Sequence, residues 1–253
     1  MSSGQVAIVT GGAGGLGRLI SITLAARDFL VVIADRDMEA AAGLVADIEG
    51  CGSAAMFVDT DAAEAASITR MIEQTAGLGE LAVLVNNAGG WLPGPQFPDA
   101  SSAWPRSIAL NLMMPMLATQ LALPLMTERG GGIVNVSSSG GWGADAYGSP
   151  EYGAAKAGLI RFTTSLSDWT DRYGVRVSCV VPHWIGLDRA VEEFARMSPD
   201  QQARSGGLVD PQLVADTVLA LALDETVAGR VVMLRAGRAP YPVAPGAADR
   251  VTG

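Results

Sequence analysis

Histidine and cysteine are scarce in this chain. It has one histidine, His183, and two cysteines, Cys51 and Cys179, among 253 residues. The cysteines lie far apart in different predicted elements, without the close spacing of a zinc site. The sequence gives no ground for a disulfide between them. We therefore expect no metal centre, and two free thiols of the kind that persist in a reducing cytoplasm.

Basic residues are also few. Lys and Arg together number 17 against 26 Asp and Glu, which gives a formal net charge of -9. Because no basic stripe could follow a phosphate backbone, nucleic acid is not an expected partner. The first residues lack the basic flank, apolar core and cleavage site of a secretion signal, so we expect a cytoplasmic protein.

Long uninterrupted apolar runs are missing as well. The segment most like a membrane span, residues 108–126, contains Asn111 and Gln120 and is broken by Pro115 and Pro124. These residues disfavour a spanning helix. We expect instead a buried or subunit-facing helix and no membrane partner.

The chain does contain short β-branched runs that alternate with helical patterns, which is typical of a parallel sheet with crossover helices. Their continuous apolar character predicts burial on both faces. The predicted strands are residues 5–10, 29–34, a run ending at 58, 81–85, 132–136, 175–181 and 231–234. We expect a single domain over residues 1–253 with a doubly wound α/β Rossmann-type fold, its seven-stranded, mostly parallel sheet flanked by helices.

Helical patterns fill the gaps between these strands. They cover residues 16–27, 37–49, 62–76, 101–128, a helix that contains Tyr152 and runs to about 172, and 211–223. The segment 183–207 has no strand pattern but carries an amphipathic piece at 190–197, which is typical of a movable flap over a site. The tail 236–253 is rich in Pro, Gly and Ala, as linkers are.

A glycine-rich loop follows the first strand and opens directly into a helix, as Thr10-Gly-Gly-Ala-Gly-Gly-Leu-Gly17. Glycine lets the backbone turn sharply and approach a pyrophosphate, which the free N–H groups of the helix N-terminus can bind. Alone this loop is a weak signal. Asp35 strengthens it, because a carboxylate at the end of the second strand can bind a ribose and repel a 2'-phosphate. The pattern predicts NAD rather than NADP, although Arg36 follows directly.

Tyr152 and Lys156 lie four residues apart on a predicted helix, which places them on one face. An ammonium about 4 to 5 Å from a phenolate stabilises it by roughly 3 to 4 kcal/mol at an effective dielectric near 20. We therefore expect Lys156 to lower the pKa of Tyr152 towards the range where general acid–base catalysis is efficient. By itself such a pair is a common coincidence of helix surface composition.

Three motifs in the same order resemble the short-chain dehydrogenase/reductase family, in its compact single-domain branch. They are T-G-x-x-x-G-x-G through Thr10, Gly11, Gly15 and Gly17, N-N-A-G at Asn86-Asn87-Ala88-Gly89, and Y-x-x-x-K at Tyr152 and Lys156. The resemblance covers nearly the whole chain. It implies an NAD(H)-dependent oxidoreductase that interconverts a secondary alcohol and a ketone, with Tyr152 as the proton-transfer group, and a homo-oligomer, either a tetramer or a dimer.

The same resemblance implies a set of site residues. The catalytic residues would be Asn111, Ser138, Tyr152 and Lys156, and the cofactor-binding residues Gly11, Gly15, Leu16, Gly17, Asp35, Asp59, Thr60, Asn87, Tyr152, Lys156, Pro182 and Ile185. By this resemblance, Asn111 would hold a proton-relay water near Lys156. Asp59 and Thr60 would border the adenine.

The serine that bonds the substrate oxygen has two candidates. The strand pattern N-x-S-S selects Ser138, whereas counting back from Tyr152 by the usual family spacing selects Ser139. We favour Ser138, because register in a buried strand is fixed more tightly than the length of a loop.

The segment after the sixth strand departs from the family pattern. Most relatives have Pro-Gly there and a Thr four residues beyond the Gly, whereas this chain reads Pro182-His-Trp-Ile-Gly-Leu187. The nicotinamide contact of that Thr is lost, although Ile185 could still meet the carboxamide through its backbone. The usual D-G-G near the C-terminus is replaced by Arg235-Ala-Gly237.

Aromatic residues fall on loops expected around the mouth of the site. We hypothesise that Trp91, Trp142 and Trp184 wall a pocket for an apolar or cyclic substrate, with core packing as the alternative. His183 could touch substrate, although a lone histidine is more often structural.

Two other functions compete with the dehydrogenase. The first is a dinucleotide-binding regulatory protein without catalysis, against which the intact Asn111, Tyr152 and Lys156 speak. The second is a lyase or dehalogenase, but such enzymes discard the dinucleotide loop that this chain keeps.

Overall fold

The centre of the molecule is an eight-stranded sheet with the order β3-β2-β1-β4-β5-β6-β7-β8. The computed structural model describes residues 4–143, 147–226 and 228–243. The strands are β1 Gln5–Thr10, β2 Leu30–Asp35, β3 Ala55–Asp59, β4 Glu80–Asn86, β5 Gly131–Val136, β6 Val175–Pro182, β7 Val231–Leu234 and β8 Tyr241–Pro242. The first seven pair in parallel and β8 runs antiparallel to β7.

The predicted doubly wound α/β fold is confirmed. The sheet has eight strands rather than the predicted seven. The sequence does not predict β8, because this strand is only two residues long and has no apolar alternation. It lies within the segment predicted as a linker-like tail, of which residues 244–253 lie outside the described residues.

Alternate side chains of each central strand enter different cores, one on each face of the sheet. In β1, Ala7 and Val9 belong to one core and Val6 and Ile8 to the other. This period of two is what a doubly covered strand requires. Because Ile8 is fully buried, its replacement by Ala would cost about 2–5 kcal/mol of stability.

Ten α-helices cover the two faces and the carboxyl edge in the part of the chain that the structure describes. They are α1 Gly15–Ala25, α2 Met38–Gly50, α3 Ala65–Thr75, α4 Trp104–Ile108, α5 Met114–Met126, α6 Pro150–Ser165, α7 Trp169–Tyr173, α8 Asp188–Ala195, α9 Pro199–Ser205 and α10 Pro211–Leu223. The first core takes residues from α1, α2 and α10, and the second from α3 and α5.

The long helical region is confirmed but contains a π-helical turn, and one other predicted helix is wrong in its continuity. The helix predicted over 101–128 is α4, a π-helical turn at Ala109–Met113, and α5. The helix predicted to run to 172 ends at Ser165, and α7 follows as a separate short helix. The physical reason for the π-helical turn is the placement of the Asn111 side chain, which is described below.

The segment predicted as a flap contains two helices instead of one. The amphipathic piece expected at 190–197 is α8, and α9 follows it directly. Ser198 and Gln201 form a capping box at the start of α9, with Pro199 at its first position. This local signal was available in the sequence.

The helical stretch Trp104–Met126 is the one in the described residues that is long and apolar enough to cross a membrane, judged by length and composition alone. A core helix of a soluble protein passes the same test. Here Met114, Ala118, Ala122 and Met126 are buried in the second core against the sheet.

Candidate active site

The glycine loop between β1 and α1 has a shape that only glycine permits. Gly11 and Gly15 have φ angles of +60° and +50°, which side chains rarely adopt. A Cβ on Gly17 would overlap the carbonyl oxygen of Gly11, so α1 can pack this closely only without a side chain there. Leu16 is buried in the first core.

The start of α1 suits a pyrophosphate. Its N-cap, Gly14, has no side chain to accept from the first-turn N–H groups, and a Cβ on Gly14 would meet no atom within 4 Å. These unsatisfied donors and the positive end of the helix dipole face open space. The loop therefore fits the phosphate groups of a dinucleotide.

Asp35 lies where β2 ends beside this loop. Its carboxylate accepts from Ala13 N at 3.0 Å and from Asp37 N at 3.1 Å. A carboxylate has about four acceptor positions, so two bonds leave room for ribose hydroxyls. In the sheet register Asp35 is opposite Asp59, and Thr60 N donates to Asp35 O at 2.9 Å. The predicted adenosine-side residues are thus brought together at one edge.

Thr10 and Asn87 brace the crevice between β1 and β4, where the strand order reverses. Thr10 Oγ1 accepts from the N–H groups of Asn87 and Ala88, each at 3.0 Å. Asn87 Nδ2 donates to the carbonyls of Thr10 and Gly11, also at 3.0 Å. Such a switch point is where ligands bind in this class of sheet. Thr10 begins the glycine motif, but the sequence alone assigns its side chain no role.

Tyr152 and Lys156 face the same side of α6, as the spacing predicts. Lys156 Nζ lies 5.7 Å from the centre of the Tyr152 ring and donates to the main-chain oxygen of Val136 at 2.8 Å. Both side chains are buried. The Ser138 hydroxyl is hydrogen-bonded to the phenol of Tyr152.

The predicted lowering of the pKa of Tyr152 is wrong for this structure. Burial raises the pKa of Tyr152 to about 12, and this outweighs the lowering by the Ser138 hydrogen bond and by the charge of Arg189. Burial also lowers the pKa of Lys156 to about 8. The loss of hydration disfavours the charged form of both groups, and the Lys156 ammonium is bonded to Val136 rather than to the phenol.

The three serines after β5 have different partners. Ser138 contacts Tyr152 and accepts from Gly140 N at 3.1 Å, which caps a short 3-10 turn at Ser139–Gly141. Ser137 Oγ donates to the main-chain oxygen of Lys156 at 2.8 Å. Of the two candidates, the structure thus places Ser138 against the phenol, while Ser139 begins the turn.

Asn111 is fully buried in the π-helical turn. Its Oδ1 accepts from Gly90 N at 2.9 Å, and its Nδ2 donates to the oxygens of Gly90 and Ser107 at 3.0 Å. A Cβ on Gly89 would lie 2.7 Å from Asn111 Oδ1 and 3.0 Å from Lys156 Nζ. The bare backbone of Gly89 is therefore what lets these two side chains approach each other.

Buried polar side chains that sequence reasoning missed tie the sheet to its helices. Asn86 and Asn135 are paired in register, and Asn86 Nδ2 donates to Asn135 Oδ1 at 2.8 Å. Asn135 Nδ2 donates to Thr163 Oγ1 in α6 at 3.0 Å, and Asn86 Nδ2 reaches Thr119 in α5. The signal for these bonds in the sequence is an asparagine at, or next to, the end of each of two adjacent apolar strands.

The segment after β6 closes the other side of the crevice. Pro182 ends β6, and Ile185 forms a β-bridge with Val209. A Cβ on Gly15 would lie 3.4 Å from Leu187 Cδ1, so Leu187 lies against the glycine loop. Burial, together with the charge of Arg235, lowers the pKa of His183, which keeps it neutral at pH 7.

The three tryptophans have different surroundings. Trp142 packs on a small core that contains Ile160 and Cys179. Trp184 contacts Phe194 of α8 edge-to-face, with ring centres 6.1 Å apart, and Trp91 is exposed. Core packing thus accounts for Trp142.

Within residues 4–143, 147–226 and 228–243, no group of three or more His, Cys, Asp or Glu could hold a metal ion.

Comparison with known proteins agrees with this geometry. Residues 5–197 match the family model described as short chain dehydrogenase. The chain is 34% identical over 232 residues to 2,5-dichloro-2,5-cyclohexadiene-1,4-diol dehydrogenase of Sphingobium indicum, covering 88% of this chain and 90% of the relative. It is 32% identical over 244 residues to 7alpha-hydroxysteroid dehydrogenase of Bacteroides fragilis, covering 92% and 93%.

A solved structure shows the same fold. A 7 alpha-hydroxysteroid dehydrogenase complexed with NADH and 7-oxo glycochenodeoxycholic acid superposes with a TM-score of 0.82, at 24% identity, over 92% of this chain and 93% of that one. The family match, these relatives and the arrangement of Ser138, Tyr152 and Lys156 agree. This chain belongs to the short-chain dehydrogenase/reductase family.

Proposed function

We propose that the protein is an NAD(H)-dependent oxidoreductase that interconverts a secondary alcohol and a ketone, with Tyr152 as general acid and base. One observation carries the proposal: Ser138, Tyr152 and Lys156 meet at the carboxyl edge of the sheet, beside the glycine loop. Relatives named as diol and hydroxysteroid dehydrogenases support an activity on CH–OH groups.

The chemistry of oxidation follows from the positions of these groups. Ser138 and Tyr152 hold the alcohol oxygen, and the Tyr152 phenolate takes the hydroxyl proton as the C=O bond forms. A bound oxidised dinucleotide would supply the acceptor for the hydride of the carbinol carbon, and its positive charge would favour the phenolate. The positive charge of Lys156 would favour the phenolate as well. Reduction of a ketone reverses each step.

Proton exchange with solvent would run through Lys156 and Asn111. The three heavy atoms nearest to a Cβ placed on Gly89 all belong to the side chains of Asn111 and Lys156. A π-helical turn loosens the regular backbone bonding of the helix, as is frequent at functional sites. We propose that a water bound near Asn111 passes the proton to Lys156.

The cofactor preference rests on Asp35. Its negative charge lies beside the start of α1, where a ribose would be bound, and would repel a 2'-phosphate. Gly11, Gly15, Gly17, Asp59, Thr60, Asn87, Pro182 and Ile185 surround the same crevice, and we propose that they contact the dinucleotide.

We further propose that residues 1–253 act as one catalytic domain and that the flap at 183–207 closes over bound ligand. Leu187 lies near the glycine loop, so a movement of α8 towards that loop would cover the crevice. A location in the cytoplasm stays a prediction, in keeping with the free thiols of Cys51 and Cys179.

We also propose that the protein is a homo-oligomer, a dimer or a tetramer. The stretch Trp104–Met126 exposes Trp104, Met113 and Met116, which are large apolar side chains. A second copy would cover them, since large exposed apolar patches commonly mark protein interfaces. Light scattering after size exclusion tests this: Met113→Glu should lower the measured mass, and a monomeric wild type would refute it.

The decisive experiment is a panel of secondary alcohols and ketones, each assayed with NAD(H) and NADP(H) in parallel. The proposal expects turnover of at least one pair, with NAD(H) preferred. A protein that binds the dinucleotide but converts no member of the panel would be the catalytically inactive regulatory protein instead.

A further inference from the structure

A second tyrosine lies directly beside the proton-transfer group. The rings of Tyr147 and Tyr152 are stacked, with centres 6.1 Å apart and planes inclined by 25°. Tyr147 lies just before α6, at the end of the loop that follows Ser138. Tyr152 is 9% exposed whereas Tyr147 is 47% exposed, so the stack extends from the buried reaction centre towards solvent.

Two glycines hold Tyr147 in this position. A Cβ on Gly140 would lie 2.7 Å from Tyr147 Cζ and 2.9 Å from its hydroxyl oxygen. A Cβ on Gly153 would lie 3.6 Å from Tyr147 Cδ1. A side chain at Gly140 would push the ring out of the stack. The backbone of two separate elements thus leaves a slot in which the Tyr147 ring fits beside Tyr152.

The start of the flap lies near the phenol of Tyr152 in this stack. The positive charge of Arg189, at the start of α8, acts on Tyr152, which places α8 near the phenol. A substrate whose oxygen reaches Ser138 and Tyr152 comes beside this stack. Its carbon skeleton would then lie along the exposed ring of Tyr147.

We propose that Tyr147 is a specificity-determining residue that selects cyclic secondary alcohols and ketones by packing its ring against the ring of the substrate. This inference rests on the proposed function. An aromatic face offers a flat, rigid surface at little entropic cost, and it is best filled by another ring. A flexible open-chain alcohol buries less area on the same face and loses more freedom on binding.

The test compares cyclohexanol with its open-chain counterpart of the same carbon number, using the dinucleotide that the wild type prefers. For Tyr147→Ala we expect kcat/KM for cyclohexanol to fall about 10-fold or more, mostly through KM, and that for the open-chain alcohol to fall less than about threefold. Tyr147→Phe keeps the ring and should leave both values nearly unchanged.

Matched variants separate specificity from damage to the fold. Tyr147→Leu retains volume without a flat face and should behave like Tyr147→Ala, and its melting temperature and dinucleotide affinity should match the wild type. Equal losses for the two alcohols, or none, would overturn the role of Tyr147 while leaving the dehydrogenase intact. If the wild type converts no alcohol or ketone of the panel, the proposed function fails, and this inference with it.

Discussion

Lys156 Nζ donates a 2.8 Å hydrogen bond to the main-chain oxygen of Val136, at the carboxyl end of β5. The residues directly after Val136 are the serines, of which Ser137 donates back to the main-chain oxygen of Lys156. Helix α6 is therefore fastened to β5 by reciprocal bonds at one residue. The lysine and the serine that contacts Tyr152 are positioned by the same strand end.

Ser137→Ala should weaken this fastening without touching a reacting atom. Loss of the buried bond should lower the free energy of unfolding by about 1–3 kcal/mol. It should also lower kcat several-fold while dinucleotide affinity stays near that of the wild type, because the phenol and the ammonium lose alignment. Urea denaturation and steady-state kinetics measure these effects, with Ser139→Ala as the control. Identical behaviour of the two variants would refute the positioning role of Ser137.

Tyr152→Phe should abolish most turnover. General acid–base catalysis contributes about 100- to 10,000-fold, so kcat/KM should fall within that range while the dinucleotide still binds. Tyr173→Phe is a matched control, because that phenol lies in α7 and contacts Arg172. If Tyr152→Phe retains wild-type turnover, the proton must be moved by another group.

The burial of Lys156 predicts a stability that depends on pH. Burial lowers the pKa of Lys156 to about 8, whereas in the unfolded chain it is about 10.4. Between these values the unfolded state binds more protons than the folded state, so the lysine's contribution to the free energy of unfolding rises with pH. Its cost is fully present below pH 8.

Lys156→Met removes this contribution. Urea denaturation of both proteins from about pH 7 to about pH 10 should show the wild type gaining on the variant by at most roughly 1.4 kcal/mol per pH unit. Titrating groups that do not interact with Lys156 are common to both proteins, so their effects cancel in the difference. A difference that does not change with pH would contradict the lowered pKa.

Most of the sheet could be predicted from the sequence, because its strands are short β-branched runs that are apolar on both faces. The glycine loop was equally visible, since strand, turn and helix follow one another locally. Strand β8 was not, because Tyr241–Pro242 owes its pairing to β7 rather than to its own pattern. The predicted serine contact depended on strand register, which the structure places at Ser138.

Properties that depend on distant neighbours could not be predicted. The π-helical turn at Asn111 reflects bonds to Gly90, which precedes it by 21 residues. The sequence also showed Lys156 near Tyr152 but not the loss of hydration that reverses the pKa shift. The stacking of Tyr147 on Tyr152 could not be predicted, because periodicity in the sequence does not determine the path of a loop.

Asp35 offers the sharpest test of cofactor choice. Asp35→Ser removes the negative charge that would repel a 2'-phosphate, while the positive charge of the neighbouring Arg36 stays. We expect the ratio of kcat/KM for NADP over NAD to rise at least about 10-fold, because a phosphate near a carboxylate is strongly disfavoured in a partly buried site. Asp37→Ser is the control, since its carboxylate instead accepts from Ala40 N at the start of α2. Because Asp35 also bonds Ala13 N at 3.0 Å, some loss of affinity for both dinucleotides should accompany the change. An unchanged ratio, or a wild type that already prefers NADP, would show that the carboxylate does not select the cofactor.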